Sequence, residues 1–508
     1  MLESITLENF KGFKKLNNLK VKPITILCGT NSCGKTSILQ SILLLKQTLE
    51  SKNPNQTLLL NGRFVKLGYF KDLIFQKDTS NQVTFNLCFS IPDNMRGSET
   101  GRRPISFLLK DIIGSDYRNS RDLEYLIDYK IILATTSTEE VKESEYLKAI
   151  KVKKLHIKIL SKQKNSPFVD LEQCTTLSEI EISNESDDTY NISWNNLHDR
   201  FTRNESEENK GEAKLEIKFA NLFPLTIKPI DENRRATFGV ASVLYRLSDL
   251  FQEIFNSYTY LGPLRGEPER EYIYRDEIVE IGNKGENAAF LYQYDREKSI
   301  NNHFFYDKTS DSFELIDRET LQGAVNRWFN LMNIKDFEAK ILNKIIYLNL
   351  AASSFDNTEV GIADVGFGVS QIFPIILEGL RMNTGNTLLL EQPEIHLHPN
   401  LQMQLSDYFI SLALSGKNII VETHSDHIIN RLVRRIVEDE KYNLKDLIGI
   451  YFIKPSENGS VFEEIEIDET KGIINWPNDF FDQTANEQMR IMQAGINKRR
   501  NLRTSKSI

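Results

Sequence analysis

The sequence predicts an α/β fold, a single head assembled from both ends of the chain with a β-rich and helical insertion between them. Three observations predict it. Near the start, the short apolar run PITILCG leads through a glycine-rich loop into SILQSILLLKQTL, whose apolar residues recur at helical spacing. More than 350 positions later, TLLLEQPE is a second apolar run ending in acids. Between these, residues from about 91 to 255 alternate short strand-like runs, such as VKKLHIKIL and NKGEAKLEIKF, with polar turns.

The loop GTNSCGKT, Gly29 to Thr36, fits the phosphate-binding pattern G-x-x-x-x-G-K-[ST] without a mismatch. Gly29 and Gly34 let the backbone turn tightly and approach phosphate oxygens. The backbone N–H groups of Thr30, Asn31, Ser32 and Cys33, and of the helix start through Ser37, supply partial positive charge. Lys35 reaches the terminal phosphates, and the Thr36 hydroxyl can ligate Mg²⁺. The expectation is a bound ATP or GTP with its Mg²⁺.

Such a loop needs a second strand carrying an acid for the cation. Leu388 to Leu390, ending at Glu391, provides it, so Thr36 and Glu391 form the expected metal pair. A compact domain would place Lys35 and Glu391 much closer in sequence, which is why the head must be built from two remote segments. Many ATPases follow this acid with a second one that primes water, yet here the next residue is Gln392. Three accounts are open. Gln392 orients water by hydrogen bonding; Glu394, two residues on past Pro393, supplies the carboxylate; or glutamine replaces a native glutamate in a protein altered to trap its ATP state. Loss of a general base costs about 10²–10⁴ in rate, so ATP binding with slow turnover is expected unless Glu394 compensates.

The order of motifs resembles the ABC-type heads of the SMC, RecF and OLD-like families. ITLENFKGFKKL is similar to their N-terminal strand. VGFGVSQIFPIIL, Val365 to Leu377, sits where those families carry a signature loop and helix, and IIVETHSDHII, Ile419 to Ile429, resembles their switch strand with its histidine, here His424. The resemblance implies that Gly368, Ser370 and Gln371 meet the nucleotide of a second copy and that His424 lies near the γ-phosphate. It implies a homodimer or higher homo-oligomer formed through the ATP sites. Valine replaces a glycine in Phe367-Gly368-Val369-Ser370-Gln371, so the detail of that contact differs from L-S-G-G-Q. Gln76 is offered as the glutamine that senses the cation, against an ordinary surface role.

YLGPLRGEPER, Tyr260 to Arg270, and WPNDFFDQ, Trp476 to Gln483, resemble a bacterial branch of AAA-family ATPases of anti-phage defence, including PtuA-like subunits whose partner is a nuclease. That resemblance implies a sensor or regulatory ATPase controlling a separate nuclease or effector. A RecF- or SMC-type DNA maintenance ATPase and a stand-alone effector with its own nuclease site are the rivals. In the 84 residues after His424 no Toprim domain is expected. Arg265 is read either as stabilising phosphate charge, in cis or across a dimer, or as one side of a structural salt bridge. His396 and His398, in HLHP, invite a metal reading but lack a third ligand, so a structural role is expected.

The bulk properties set further limits. No apolar run reaches the roughly 20 residues a bilayer-spanning helix needs, so no membrane association is expected. MLESITLENF lacks the features of a secretion signal. Four cysteines, Cys28, Cys33, Cys88 and Cys174, suggest neither a disulfide framework nor zinc, so a cytoplasmic setting is expected. The net charge of −8 opposes a broadly basic surface, but Lys498, Arg499, Arg500, Arg503 and Lys506 leave a DNA or RNA contact open against a plain solvated terminus. The expected divisions are 1–90 and 256–460 for the two parts of the head, 91–255 for the insertion, and 461–508 for an extension with its basic tail.

Overall fold

A computed structural model describes residues 1–53, 56–91, 109, 112–113, 123–135, 150–163, 173–197, 210–230, 234–273, 280–351, 358–477 and 483–504. Lys506 lies outside the described residues, as does part of WPNDFFDQ.

The chain opens with β1 (Leu2–Phe10), β2 (Phe13–Lys20) and β3 (Ile24–Gly29), followed by helix α1 (Lys35–Leu49) and β4 (Val83–Ile91). Six strands come next: β5 (Leu123–Thr135), β6 (Ile150–Gln163), β7 (Thr175–Ser186), β8 (Thr189–Asn195), β9 (Gly211–Ala220) and β10 (Phe223–Pro229). Helix α2 (Arg234–Asn256) leads into β11 (Tyr258–Leu261), and α3 (Ala288–Asp295) and α4 (Leu321–Leu331) follow among small antiparallel sheets. The rest of the head is α5 (Phe367–Arg381), β12 (Thr387–Glu391), α6 (Pro399–Leu414), β13 (Asn418–Glu422), α7 (Asp426–Glu438), β14 (Ile448–Ser456) and β15 (Gly459–Glu464), before a last helix α8 (Gln483–Thr504).

These fifteen strands form one sheet in the order β10-β9-β8-β7-β6-β5-β4-β1-β2-β15-β14-β3-β13-β12-β11. Five strands at one end, β14-β3-β13-β12-β11, are parallel. β3 from the start of the chain is thereby flanked by two strands from its last quarter. β12 and β13 are buried at every position, as strands covered on both faces must be. The remaining pairings are antiparallel, and β5 to β10 extend the same sheet outward from β4.

Alternation along the central strands divides the core. Leu27, Leu389, Ile420 and Ile453 join a cluster with α1, α2 and the antiparallel strands. Ile26, Leu388, Leu390, Ile419 and Val421 face the other side, with residues of α3 to α7. Successive residues of a strand point to opposite faces, so one short run feeds both cores. α1 is buried nearly all round, packed between the sheet and α2.

The sequence pattern predicts one amphipathic helix over Val240 to Tyr258. The helix starts earlier, at Arg234, and stops at Asn256. Tyr258 already belongs to β11, where Tyr-Thr-Tyr-Leu pairs in parallel with Thr387 to Leu390. The aromatic and β-branched content of that tetrapeptide suits a strand, and the available edge of β12 decides the outcome.

Candidate nucleotide and cation site

The loop between β3 and α1 is built as its glycines require. At Gly29 φ is +141°, and an added Cβ would lie 2.0 Å from the Ile453 carbonyl oxygen. Gly34 has φ +100° and abuts the Phe13 ring and the Ser460 hydroxyl. Neither position tolerates a side chain, so both glycines serve conformation and close packing. Thr30, Asn31 and Ser32 are exposed, whereas Cys33, Lys35 and Ser37 are buried. The Lys35 ammonium donates to the carbonyls of Thr30 (2.7 Å) and Gly29 (3.1 Å), folded back under its own loop.

Thr36 opens α1 toward the ends of β12 and β13. In the parallel ladder Glu391 is in register with Glu422, so both side chains leave the same face of the sheet. The Thr36 hydroxyl donates to Glu422 Oε1 at 2.9 Å, and Tyr260 donates its hydroxyl to Glu391 Oε1 at 3.0 Å. Burial raises the pKa of both acids, and each is near another carboxylate: Glu422 beside Glu391, and Glu394 beside Glu422. Glu391 is pushed up to about 7. Two buried carboxylates side by side are costly without a neutralising charge.

Gln392 turns the chain away from the strand in a left-handed conformation, φ +45°, while its N–H still donates to the Glu422 carbonyl (2.7 Å). Glu394 is engaged at both oxygens, accepting from Thr423 Oγ1 (2.8 Å) and from the His424 N–H (2.7 Å). It therefore pins the segment carrying His424. His424 is half-buried, and burial together with the nearby Lys35 charge lowers its imidazole pKa.

Arg265 is 4% exposed. Its guanidinium reaches the carbonyls of Gly262 (3.3 Å), Glu391 (3.5 Å), Gln392 (3.4 Å) and Pro393 (3.2 Å). It thus braces the turn after β12 through backbone carbonyls, a structural role. Gln371 donates to the carbonyls of Arg265 (3.5 Å) and Gly266 (3.4 Å). This joins the signature helix α5 to the same turn.

The signature residues divide. Ser370 is buried, with its hydroxyl on the Phe367 carbonyl (2.8 Å), and Gln371 is also buried. Gly366 and Phe367 are exposed, and Gly368 lies beside the His396 carbonyl. His396 is exposed next to the Phe367 ring. His398 caps α6, Nδ1 accepting from the Asn400 N–H. Among the described residues no group of three His, Cys, Asp or Glu could hold a metal unaided, and neither histidine joins one. Gln76 is exposed with φ +55°, next to Phe75, which packs on Gly459.

Sequence reasoning missed Glu422 and Tyr260. NIIVE repeats the pattern of TLLLE, an apolar run ending in an acid. That repetition is the signal for Glu422, and the histidine two residues later masks it. Tyr260 carries no such signal, because only the pairing of β11 with β12 brings it to Glu391.

The residues fit a nucleoside triphosphate and its cation. The loop exposes Thr30, Asn31 and Ser32, the Thr36 hydroxyl meets Glu422 beside Glu391, and Glu422 Oε2 is a buried oxygen without a hydrogen-bond partner. Mg²⁺ favours such oxygen ligands: one or two carboxylates, with phosphate oxygens and water completing the octahedron. When bound, it would neutralise phosphate charge.

A P-loop head whose loop and acidic strands come from opposite ends of the chain defines a nucleotide-binding ATPase. The chain belongs to the AAA ATPase domain family (AAA_15), whose pattern matches residues 1–429. Residues 445–491 match a family of unknown function, DUF3696. The chain is 22% identical over 452 residues to Endonuclease GajA of Bacillus cereus (strain HuB5-5), a match covering 84% of this chain and 56% of the relative. It thus spans little more than half the length of that protein. Among solved structures it is similar to the SMC head domain from Thermotoga maritima (10% identity, TM-score 0.35, covering 92% of this chain and 99% of the other). It is also similar to an SmcHead bound to the C-winged helix domain of ScpA (11% identity, TM-score 0.38, covering 92% and 98%). Among the described residues no helix is long and apolar enough to cross a membrane.

Proposed function

We propose that this chain is an ATP-binding, slowly or conditionally hydrolysing sensor of a bacterial anti-phage defence system, and that it controls a separate nuclease or other effector. The observation that carries the ATPase reading is the contact of Thr36, in the loop near one end of the chain, with Glu422, which lies in register with Glu391 on strands near the other end. Slow turnover is the reading of Gln392, which is no proton acceptor, with Glu394 held on the Thr423–His424 segment by a hydrogen bond at each oxygen. The defence role is supported by the sequence resemblance and by similarity to an endonuclease. Closure by a second copy is supported by the exposed Gly366–Phe367 tip of the signature helix.

Two measurements test this. In the first, ATP affinity and turnover are compared for the parent and for Lys35→Ala, Gln392→Glu and Glu394→Gln. Loss of ATP binding in Lys35→Ala and faster turnover in Gln392→Glu are expected. ATP binding by Lys35→Ala at parental affinity overturns the site. In the second, the purified chain is incubated with plasmid DNA and Mg²⁺. Inert DNA is expected for a regulator, and cutting by the chain alone makes it an effector instead.

A further inference from the structure

The position after Glu391, where a second acid is expected, holds Gln392, yet the site does not lack a second carboxylate. We infer that Glu422, at the end of the neighbouring strand, is the second carboxylate of the cation site. This rests on the reading that Lys35 and Thr36 hold a triphosphate.

Three observations converge on it. Glu422 is in register with Glu391 on adjacent parallel strands, so the two acids project from one face. Its Oε1 is 2.9 Å from the hydroxyl of Thr36, the P-loop residue placed to ligate the cation. The residue is 3% exposed, and its Oε2 is buried with no hydrogen-bond partner. A buried carboxylate oxygen left without a donor is expensive, and a bound divalent cation would satisfy it. Gln392 leaves the strand in a left-handed turn and keeps only its backbone on Glu422. The acid has thus moved from the next residue of one strand to the same level of the next strand.

Mn²⁺ is the probe. The full-length chain, saturated with ATP, is titrated with Mn²⁺ and followed by the electron spin resonance of the free ion. Glu422→Gln keeps the size of the side chain and an oxygen to accept from Thr36, and it is expected to weaken Mn²⁺ binding by about 10–100-fold. ATP affinity measured in EDTA should remain within about threefold of the parent, since no cation is involved. Glu422→Asp, which keeps the charge on a shorter arm, should lose less than Glu422→Gln. Parental Mn²⁺ affinity in a folded Glu422→Gln overturns the assignment, and so does an equal loss in Glu422→Asp and Glu422→Gln. Lys35→Ala in EDTA separates the two claims. If it binds ATP as the parent does, the triphosphate reading fails, whatever Glu422 does with Mn²⁺.

Discussion

Glu391 is buried and sits next to Glu422, and the Tyr260 hydroxyl donates to it. Its pKa is raised from 4.5 to about 7, so protonation is favoured in the folded state. The stability from this group is complete below pH 4.5 and is lost as pH rises through 7. At 1.36 kcal/mol per pKa unit the loss is on the order of 3 kcal/mol. Thermal melting of the protein without nucleotide should therefore drop between about pH 5 and 8. Glu391→Gln should flatten that slope, and Mg²⁺ with ATP should raise the melting temperature most at the alkaline end. A parental slope in Glu391→Gln would assign the pH dependence elsewhere. At this scale much of the site was legible in the sequence. GTNSCGKT fixes its glycines, lysine and threonine by chemistry that needs no partner, and TLLLE announces its acid. Glu422 and Tyr260 were not legible as site residues, because their roles depend on which strand lies beside which.

Elements hold these residues in place through buried polar contacts. Asp407 on α6 is wholly buried and receives Arg431 (2.8 Å) and Arg435 (2.8 Å) from α7, the helix that follows His424. Removing one partner of a buried ion pair typically costs 3–5 kcal/mol. Asp407→Ala should lower unfolding stability by about that amount, read from urea denaturation, and should loosen the His424 segment. Arg265 acts on the other side of the site. Its guanidinium holds three successive carbonyls, Glu391 to Pro393, and its own carbonyl accepts from Gln371 of α5. Arg265→Ala should reduce ATP turnover by at least about tenfold while ATP affinity in EDTA stays near parental. A matching loss of both would make its role generally structural. None of these contacts has a sequence pattern, since an aspartate or arginine inside a helix reads as a solvated charge until its neighbours are known.

At the scale of the molecule, the sheet explains how one site arises from remote segments. β3 enters between β13 and β14, and the antiparallel strands carry the same sheet outward without separating the halves of the site. Strand-like runs between 123 and 229 could be read from alternation, but not their addition to the head's own sheet, which is a matter of long-range pairing. Phe367 is exposed beside Gly366 and His396, and the proposed function would have a second copy engage there. Mg²⁺ and ATP together should double the particle mass in light scattering, and Phe367→Asp should prevent this without changing ATP affinity. Doubling without nucleotide, or undisturbed by Phe367→Asp, would place the contact elsewhere.

The central claim is that both ends of the chain grip one cation–triphosphate unit. Its most direct test is a crystal structure with Mn²⁺ and a non-hydrolysable ATP analogue, read in the manganese anomalous signal. One peak is predicted between the Thr36 hydroxyl and the carboxylates of Glu391 and Glu422, with ligand distances of roughly 2.0–2.4 Å. A peak beside the phosphates but out of reach of both carboxylates would contradict the account.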